Sequence, residues 1–263
     1  MCLNLSGKSK TFWNLIIPIF LCNVPTALVA GECSTKSGAT SVPLLELYTS
    51  EGCSSCPPAD KWLSSMKLSA DKVVPLAFHV DYWDYIGWKD RFSKPEFSVR
   101  QSKNGAFSRS SFVYTPQFSF NGQDFRGWND SRLNQIVDNS LKQPSRANLT
   151  LDTTNQVNGE ILIKATAQVF QLADSKHSEI YIAIYENKLV SNVNAGENVG
   201  RVLKHDYVVR DLMGAYQFNN KNEFSKYFTL KPEWKGRNAG AVIFVQNTQN
   251  GEILQSLQLS FCS

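Results

Sequence analysis

Two cysteines, Cys53 and Cys56, are separated by two serines in the segment ELYTSEGCSSCPPAD, residues 46–60. Residues 42–50 are typical of a buried strand, and apolar residues between positions 59 and 66 recur at helical spacing. A helix N-terminus stabilises a thiolate, and the thiolate is the form of cysteine that attacks disulfides. The pattern therefore predicts a redox pair in which Cys53 attacks and Cys56 resolves the mixed disulfide.

Three functions are compatible with this pair. The first is a thiol-disulfide oxidoreductase, which exchanges disulfides with protein thiols and a redox partner protein and needs no dissociable cofactor. The second is a copper- or metal-binding chaperone with Cys53, Cys56 and His79 as ligands, because soft thiolates select such metals. The third is a redox-inert binding scaffold in which the two cysteines form a structural disulfide.

The N-terminal segment, residues 1–31, has the layout of a secretory signal peptide. Lys8 and Lys10 precede an apolar core at residues 12–21, and small residues follow at 27–31. The apolar run is shorter than the roughly 20 residues that a bilayer requires, so we expect no stable membrane span after cleavage. An uncleaved membrane anchor is the alternative. The prediction is a secreted or periplasmic protein of the cell envelope.

Export changes how the cysteines are interpreted. Cys33, Cys53, Cys56 and Cys262 remain after signal removal, and disulfides persist in oxidising compartments. The close spacing suggests that Cys53 pairs with Cys56. That pairing leaves Cys33 to join Cys262 in a structural disulfide between the two ends of the mature chain.

The remaining sequence predicts two domains. Residues 37–142 read as strand, helix, strand, helix, hairpin and helix, which is an α/β order. After a change of composition near residue 143, residues 148–262 contain mainly alternating strands, including a hairpin around residues 250–251, and favour a β-sandwich. The net charge of +4 without a long Lys/Arg run argues against nucleic-acid binding.

Four segments together resemble an uncharacterised family of secreted bacterial thioredoxin-like proteins, domain of unknown function 1223. They are ELYTSEGCSSCPPADKWL, AFHVDYWDYIGWKDRFSKPEFSVRQ, VYTPQFSFNGQDFRGWN and GENVGRVLKHDYVVRDL. The resemblance covers residues 42–261. It implies an α/β thioredoxin-like domain followed by a β-sandwich-like C-terminal domain, and it supplies no substrate.

The resemblance to thioredoxin-like folds also implies roles for residues outside the cysteine pair. A cis-proline faces the cysteines in such folds, so we expect Thr115 and Pro116 to shape a substrate groove. Glu46 precedes the pair on its strand, where a half-buried carboxylate with a raised pKa could transfer protons. The alternative for Glu46 is a solvated side chain at a strand edge.

Two adjacent prolines depart from a regular helix start. Pro57 and Pro58 follow the pair directly, and a proline has no backbone N–H to donate. Either the first helical turn is distorted or the helix begins near Pro57. In the second case the helix dipole acts less directly on Cys53.

Aromatic and acidic residues are concentrated in HVDYWDYIGWKD, residues 79–90. We expect His79, Asp81, Trp83 and Trp88 to form a substrate groove near the cysteines, with packing at a domain interface as the alternative. His79 could also be a satisfied strand histidine, a proton relay or a metal ligand.

A basic segment, GRVLKHDYVVRD at residues 200–211, contains His205. This segment favours a strand with a charged, solvent-facing side, and a ligand-binding loop is the alternative.

Overall fold

The computed structural model describes residues 31–108, 112–128, 132–155, 159–218 and 221–262, so nearly all of the predicted signal peptide lies outside it. Strands account for 44% of the described residues and helices for 18%. The four α-helices are α1 (Pro57–Ser64), α2 (Pro95–Phe107), α3 (Arg132–Ser140) and the single turn α4 (Leu172–Ser175), with 3₁₀ turns at Asp84–Ile86 and Gly236–Asn238.

The strands lie on both sides of the predicted domain boundary. Those before it are β1 (Glu32–Lys36), β2 (Leu44–Thr49), β3 (Val74–His79), β4 (Gln117–Phe120) and β5 (Gln123–Asp124). Those after it are β6 (Ala147–Asn155), β7 (Glu160–Val169), β8 (Ser178–Glu186), β9 (Leu189–Asn192), β10 (Val202–His205), β11 (Val208–Gln217), β12 (Lys221–Thr229), β13 (Ala239–Asn247) and β14 (Ile253–Ser260).

One large mixed sheet joins the two halves of the chain. Its order is β14-β13-β8-β11-β3-β2-β4-β5, with four strands from each side of the predicted boundary. A second sheet has the order β1-β6-β7-β12, and β10 pairs with β9 in a two-stranded ribbon. The predicted fold class, an α/β thioredoxin-like domain followed by a β-sandwich-like domain, is therefore wrong. The protein is mostly β, and both halves contribute to both large sheets.

The join between the halves has a physical reason in strand pairing. β2 and β3 are parallel, as their connection through α1 requires, and β4 pairs with the other edge of β2. The outer edge of β3 would expose unpaired backbone groups. β11 covers that edge: Val208 pairs in parallel with Ala77, and β11 continues antiparallel to β8.

Side chains alternate across β2 and divide the core into two layers. Leu45 and Leu47 pack with α1 and α3 on one face of the sheet. Leu44 and Tyr48 pack with Phe97 of α2 on the other face, together with residues of β8 and β13. A third core fills the space between the four-stranded sheet and β8, β13 and β14. The end of β2 thus lies at the centre of the molecule, with helices on either side.

Two disulfides connect the four predicted cysteines as expected from the sequence. Cys33 of β1 is bonded to Cys262, and Cys53 to Cys56. Such bonds persist in oxidising compartments, which indicates a protein that works outside the cytoplasm. None of the helices in the described part of the chain has the length and apolar content needed to cross a membrane.

Candidate functional site

The cysteine pair occupies the connection between β2 and α1. Cys56 is the N-cap of α1, and Pro57 and Pro58 are its first residues, so the helix begins at Pro57. The first available amides, of Ala59 and Asp60, both donate to the Cys56 carbonyl at 2.9 and 3.1 Å. The two prolines have no backbone N–H, and the next two N–H groups already donate to Cys56. The helix N-terminus therefore stabilises a Cys53 thiolate less than the sequence pattern predicts.

The Thr115–Pro116 peptide bond is cis, as predicted, and lies beside the disulfide. Cys53 Sγ lies 3.8 Å from the Thr115 carbonyl oxygen, and Trp83 Nε1 donates to Thr115 Oγ1 at 2.7 Å. An open groove of about 330 Å³ runs from Pro116 and is mainly aromatic; it is lined by Phe112, Tyr114, Pro116, Phe118, Phe125, Arg126, Gly127 and Trp128. Three of the predicted site residues therefore lie together near Cys53: Thr115, Pro116 and Trp83.

The disulfide is covered although its loop is at the surface. Cys53 is 1% exposed and Cys56 is fully buried, whereas Ser54 and Ser55 between them are exposed. The connection between β9 and β10 holds this loop: Glu197 Oε2 accepts from Ser54 N at 3.0 Å, and Asn198 Nδ2 donates to the Cys53 carbonyl at 2.9 Å. No local sequence pattern predicts this contact, because it joins segments far apart in the chain.

Glu46 does not meet the cysteines. It is fully buried, so the solvated strand-edge alternative is wrong. Its side chain lies on the face of β2 that packs against α2, where Oε1 accepts from Arg100 Nε at 2.6 Å and Oε2 from Asn104 Nδ2 at 2.8 Å. The helix α1 lies on the opposite face. The structure thus places Glu46 in a buried ion pair away from the disulfide.

The other predicted groove residues lie in separate places. The Asp81 backbone N–H donates a hydrogen bond to the Ser98 hydroxyl of α2, and that hydroxyl donates to the Asp81 carboxylate. Trp88 Nε1 donates to Glu51 Oε2 at 2.8 Å. His79 is fully buried below the surface, so it does not line a groove with Trp83.

His79 belongs to a buried group of acidic residues and histidines, called the histidine cluster below: Glu51, Asp60, His79, Asp90 and His205. His79 Nδ1 donates to Asp90 Oδ2 at 2.6 Å, and the rings of His79 and His205 lie edge to face with centroids 4.9 Å apart. His205 Nε2 lies 3.4 Å from Glu51 Oε1, and His205 Nδ1 lies 3.8 Å from Asp60 Oδ1. The cluster draws on the end of β2, on α1, β3 and β10, and on the loop before α2.

Charge governs the titration of this cluster. Burial alone would lower the pKa of His205, but the neighbouring carboxylates of Asp60 and Glu51 outweigh burial and raise it to about 10. Burial would raise the pKa values of Glu51 and Asp90, yet His205 lowers that of Glu51 and His79 lowers that of Asp90. The carboxylates of the cluster therefore favour a positive charge at the position of His205.

Several polar atoms of the cluster are unsatisfied. Among the described residues, Glu51 Oε1, His79 Nε2 and both ring nitrogens of His205 are buried without a hydrogen-bond partner. Buried polar groups are paired in the great majority of cases, so four such atoms in one cluster require an explanation.

The predicted strand with a charged, solvent-facing side is confirmed for Lys204 and is wrong for His205. On β10, Val202 and Lys204 are exposed while Leu203 and His205 are buried. The alternation of Leu203 and His205 along the strand was the available signal, because alternate residues of a strand share a face. Asp60, Glu51 and Asp90 were not singled out from the sequence.

The protein is thus a mostly β protein with a disulfide in the connection between β2 and α1 and a buried histidine cluster that includes residues on both sides of that disulfide in the chain. The chain belongs to the family described as Protein of unknown function (DUF1223), whose family model matches residues 44–246. A search among curated proteins finds no match.

Several solved structures are similar to it, and two of them cover most of this chain. One is the crystal structure of a protein from Agrobacterium tumefaciens, with 23% identity, a TM-score of 0.61 and coverage of 84% of this chain and 96% of that one. The other is HBP35 of Porphyromonas gingivalis, with 16% identity, a TM-score of 0.63 and coverage of 86% and 76%. At these identities the likeness concerns the fold alone.

Proposed function

We propose that the protein is an exported thiol-disulfide oxidoreductase that acts through Cys53 and Cys56 in the periplasm or outside the cell. The observation that carries the proposal is the position of the Cys53–Cys56 disulfide, at the junction of β2 and α1 and beside the Thr115–Pro116 segment. A bond between residues only three apart constrains the unfolded chain little, so stability is a weak reason for it.

The exchange balances within the two proteins. The Cys53 thiolate attacks a substrate disulfide, forms a mixed disulfide and releases one substrate thiolate. The Cys56 thiolate then attacks the Cys53 sulfur and releases the second substrate thiol, leaving the Cys53–Cys56 disulfide. A dithiol partner protein returns the pair to the reduced form, and the reverse sequence oxidises a substrate.

The aromatic groove next to Pro116 supports the proposal that the substrates are proteins. Its apolar lining suits an extended segment with apolar side chains on either side of a cysteine. Because Cys53 is 1% exposed, such a substrate reaches its sulfur only when the cover over the loop shifts. The contact of Ser54 with the exposed Glu197 carboxylate is the weakest part of that cover, since exposed polar contacts contribute little stability.

The surroundings of Cys53 favour a reducing rather than an oxidising protein. Strong oxidants owe their potential to a stabilised reduced form. Here Pro57 and Pro58 provide no N–H groups, and Glu51 adds a carboxylate two residues before Cys53. Both features stabilise a thiolate poorly, so we expect a potential near roughly −270 mV, at the low end of the range of exchange catalysts.

A second function, a scaffold with an inert structural disulfide, is favoured by one observation. Both cysteines are almost completely buried, and reactive cysteines are ordinarily accessible in part. On this view Cys53→Ser and Cys56→Ser would destabilise the protein and remove no activity.

The reduction potential separates the two functions. Mature protein carrying Cys33→Ser and Cys262→Ser is equilibrated in thiol redox buffers, and free thiols are counted by alkylation and mass spectrometry. A potential between roughly −270 and −120 mV, with trapping of a mixed disulfide on Cys53 in a Cys56→Ser variant, would support the oxidoreductase. A potential below about −300 mV without trapping would reject it in favour of the structural bridge.

A further inference from the structure

We propose that the histidine cluster is a binding site for a divalent transition-metal ion, with Zn2+ as the representative ion and Asp60, His79 and His205 as its ligands. These residues differ from the thiolate set of Cys53, Cys56 and His79 considered from the sequence. In the structure the two sulfurs are bonded to each other, and a disulfide does not supply thiolate ligands.

The first argument is geometric. One potential ligand atom from each of Asp60, His79 and His205 lies within 4.8 Å of the other two, and all three side chains are buried. Ligand nitrogen and oxygen atoms lie about 2.0–2.2 Å from Zn2+, so closing the group by on the order of 1 Å brings it to coordination distance. Two imidazoles and a carboxylate form a common donor set for zinc and its neighbours in the first transition row.

The second argument concerns the other ring nitrogen of each histidine. His79 Nδ1 donates to Asp90, which leaves Nε2 directed away from that carboxylate. His205 Nε2 faces Glu51 at 3.4 Å, which leaves Nδ1 on the side of Asp60. Metal-bound histidines ordinarily have such a carboxylate on the nitrogen opposite the metal, because it fixes the ring and raises its basicity.

The carboxylate ligand is held in the same way. Thr49 Oγ1 donates to Asp60 Oδ2 at 3.1 Å, so Oδ1, the oxygen nearest His205, is the one available to an ion. Each of the three ligands therefore has an outer partner: Asp90 for His79, Glu51 for His205 and Thr49 for Asp60.

The third argument is independent of this arrangement. Among the described residues, His79 Nε2 and His205 Nδ1 are buried and have no hydrogen-bond partner. A buried polar nitrogen without a partner is costly, and two of them directed into one acidic cluster are accounted for by a bound cation.

A cleft adjoins the cluster and offers a route by which an ion could enter. A cleft of about 370 Å³ lies between α1 and β10, and both Asp60 and His205 contribute to its wall. The rest of its lining includes Lys61, Ser64 and Lys204.

The test measures zinc binding by the full mature protein with its disulfides intact. After treatment with a chelator, Zn2+ is titrated in competition with a chromophoric chelator, and the metal content is counted by mass spectrometry. We expect one ion per chain and at least 100-fold weaker binding in His79→Gln, His205→Gln and Asp60→Asn. The matched control is His177→Gln. His177 is the remaining histidine and is exposed in the turn that follows α4, so this variant should bind zinc as tightly as the wild type.

Two further measurements keep the proposal falsifiable if a variant fails to fold, as judged by circular dichroism. Co2+ bound to the wild type should give visible d–d bands without thiolate-to-metal charge transfer, and Cys53→Ser/Cys56→Ser should bind zinc unchanged. No zinc binding by folded wild type, unchanged binding in His205→Gln, or loss of binding in the double cysteine variant would each overturn the proposal. This site does not depend on the redox proposal, since its ligands exclude both sulfurs.

Discussion

Two buried glutamates, Glu46 within β2 and Glu51 just beyond its end, lie in contrasting surroundings. Both are fully buried, so burial alone does not separate their roles. Both oxygens of Glu46 accept hydrogen bonds, from Arg100 Nε and Asn104 Nδ2. The Arg100 guanidinium, whose Nη2 lacks a hydrogen-bond partner among the described residues, packs on aromatic rings at 4.8 Å, those of Tyr181 and Phe244.

Glu51 is only half satisfied. Trp88 donates to its Oε2, whereas its Oε1 faces His205 without a hydrogen bond. The residues around Glu46 come from α2 and the strands and carry one positive charge that needs no further ion. Those around Glu51 comprise two further carboxylates and two histidines, and both histidines have ring nitrogens without a hydrogen-bond partner.

This contrast distinguishes a structural polar network from a binding site. A network whose carboxylate is fully paired specifies packing and gains nothing from a ligand. A cluster with several unpaired atoms directed at one another gains stability when an ion enters. We therefore expect mutations around Glu46 to act on folding and mutations around Glu51 to act on binding.

The largest effect is expected from Arg100→Met. This change leaves the Glu46 carboxylate buried without its cation and should lower the free energy of unfolding by about 3–5 kcal/mol in urea titrations. Glu46→Gln added to Arg100→Met should restore much of the loss. Lys103→Met on the same helix is the control, because its pair with Glu179 is partly exposed and should contribute below about 1 kcal/mol. A loss under 1 kcal/mol in Arg100→Met would contradict the structural role of the Glu46 network.

The next effect is the stabilisation of the folded protein by zinc. Free Zn2+ at 100 times its dissociation constant should raise the free energy of unfolding by about 2.7 kcal/mol. Arg100→Met should show the same increment from its lower baseline, because its side chain lies outside the histidine cluster. Asp60→Asn should show little or none. An increment lost in Arg100→Met but kept in Asp60→Asn would reverse the comparison.

Much of the local structure next to Glu51 in the chain, around the cysteine pair, could be predicted from the sequence because it depends on local patterns. The strand before the cysteines, the helix after them and the cis bond before Pro116 follow from apolar periodicity and from a resemblance. The pairing of Cys33 with Cys262 follows from the count that remains once the close pair is joined. Apart from the cis bond, which follows from the resemblance, each of these inferences needs only neighbouring residues or a count of cysteines.

The arrangement of the sheets and the histidine cluster could not be predicted in this way. β11 pairs with β3 at Val208 and Ala77, and no local pattern predicts a parallel contact between strands that far apart in the chain. His205 lies close to Asp60 because β10 packs on α1. The charged residues near His205 in the chain instead indicated a solvent-facing strand. Glu46 shows the same limit: its partner Arg100 lies 54 residues away.

A smaller effect is expected at the outer partners of the histidines. Asp90→Asn keeps the shape of the side chain but removes the charge that fixes His79, and zinc affinity should fall about 10- to 100-fold. Asp84→Asn in the same loop is the control, because Asp84 accepts from Asp90 N and Ser93 Oγ rather than from a histidine. The measurement is the chelator competition described above. Equal affinities in the two variants would show that the His79–Asp90 contact does not serve a metal.

The smallest effect is expected from Trp88→Phe, which removes the single hydrogen bond to Glu51 Oε2. The free energy of unfolding should fall by about 0.5–1.5 kcal/mol, the usual contribution of one hydrogen bond. Zinc affinity should fall less than about tenfold, because Oε1 still faces His205. Trp83→Phe is the matched control, since its indole bonds to Thr115 instead and should leave zinc affinity unchanged. If Trp83→Phe weakened zinc binding as much as Trp88→Phe, the loop would act on the cluster through packing, and Glu51 would lose its distinction from Glu46.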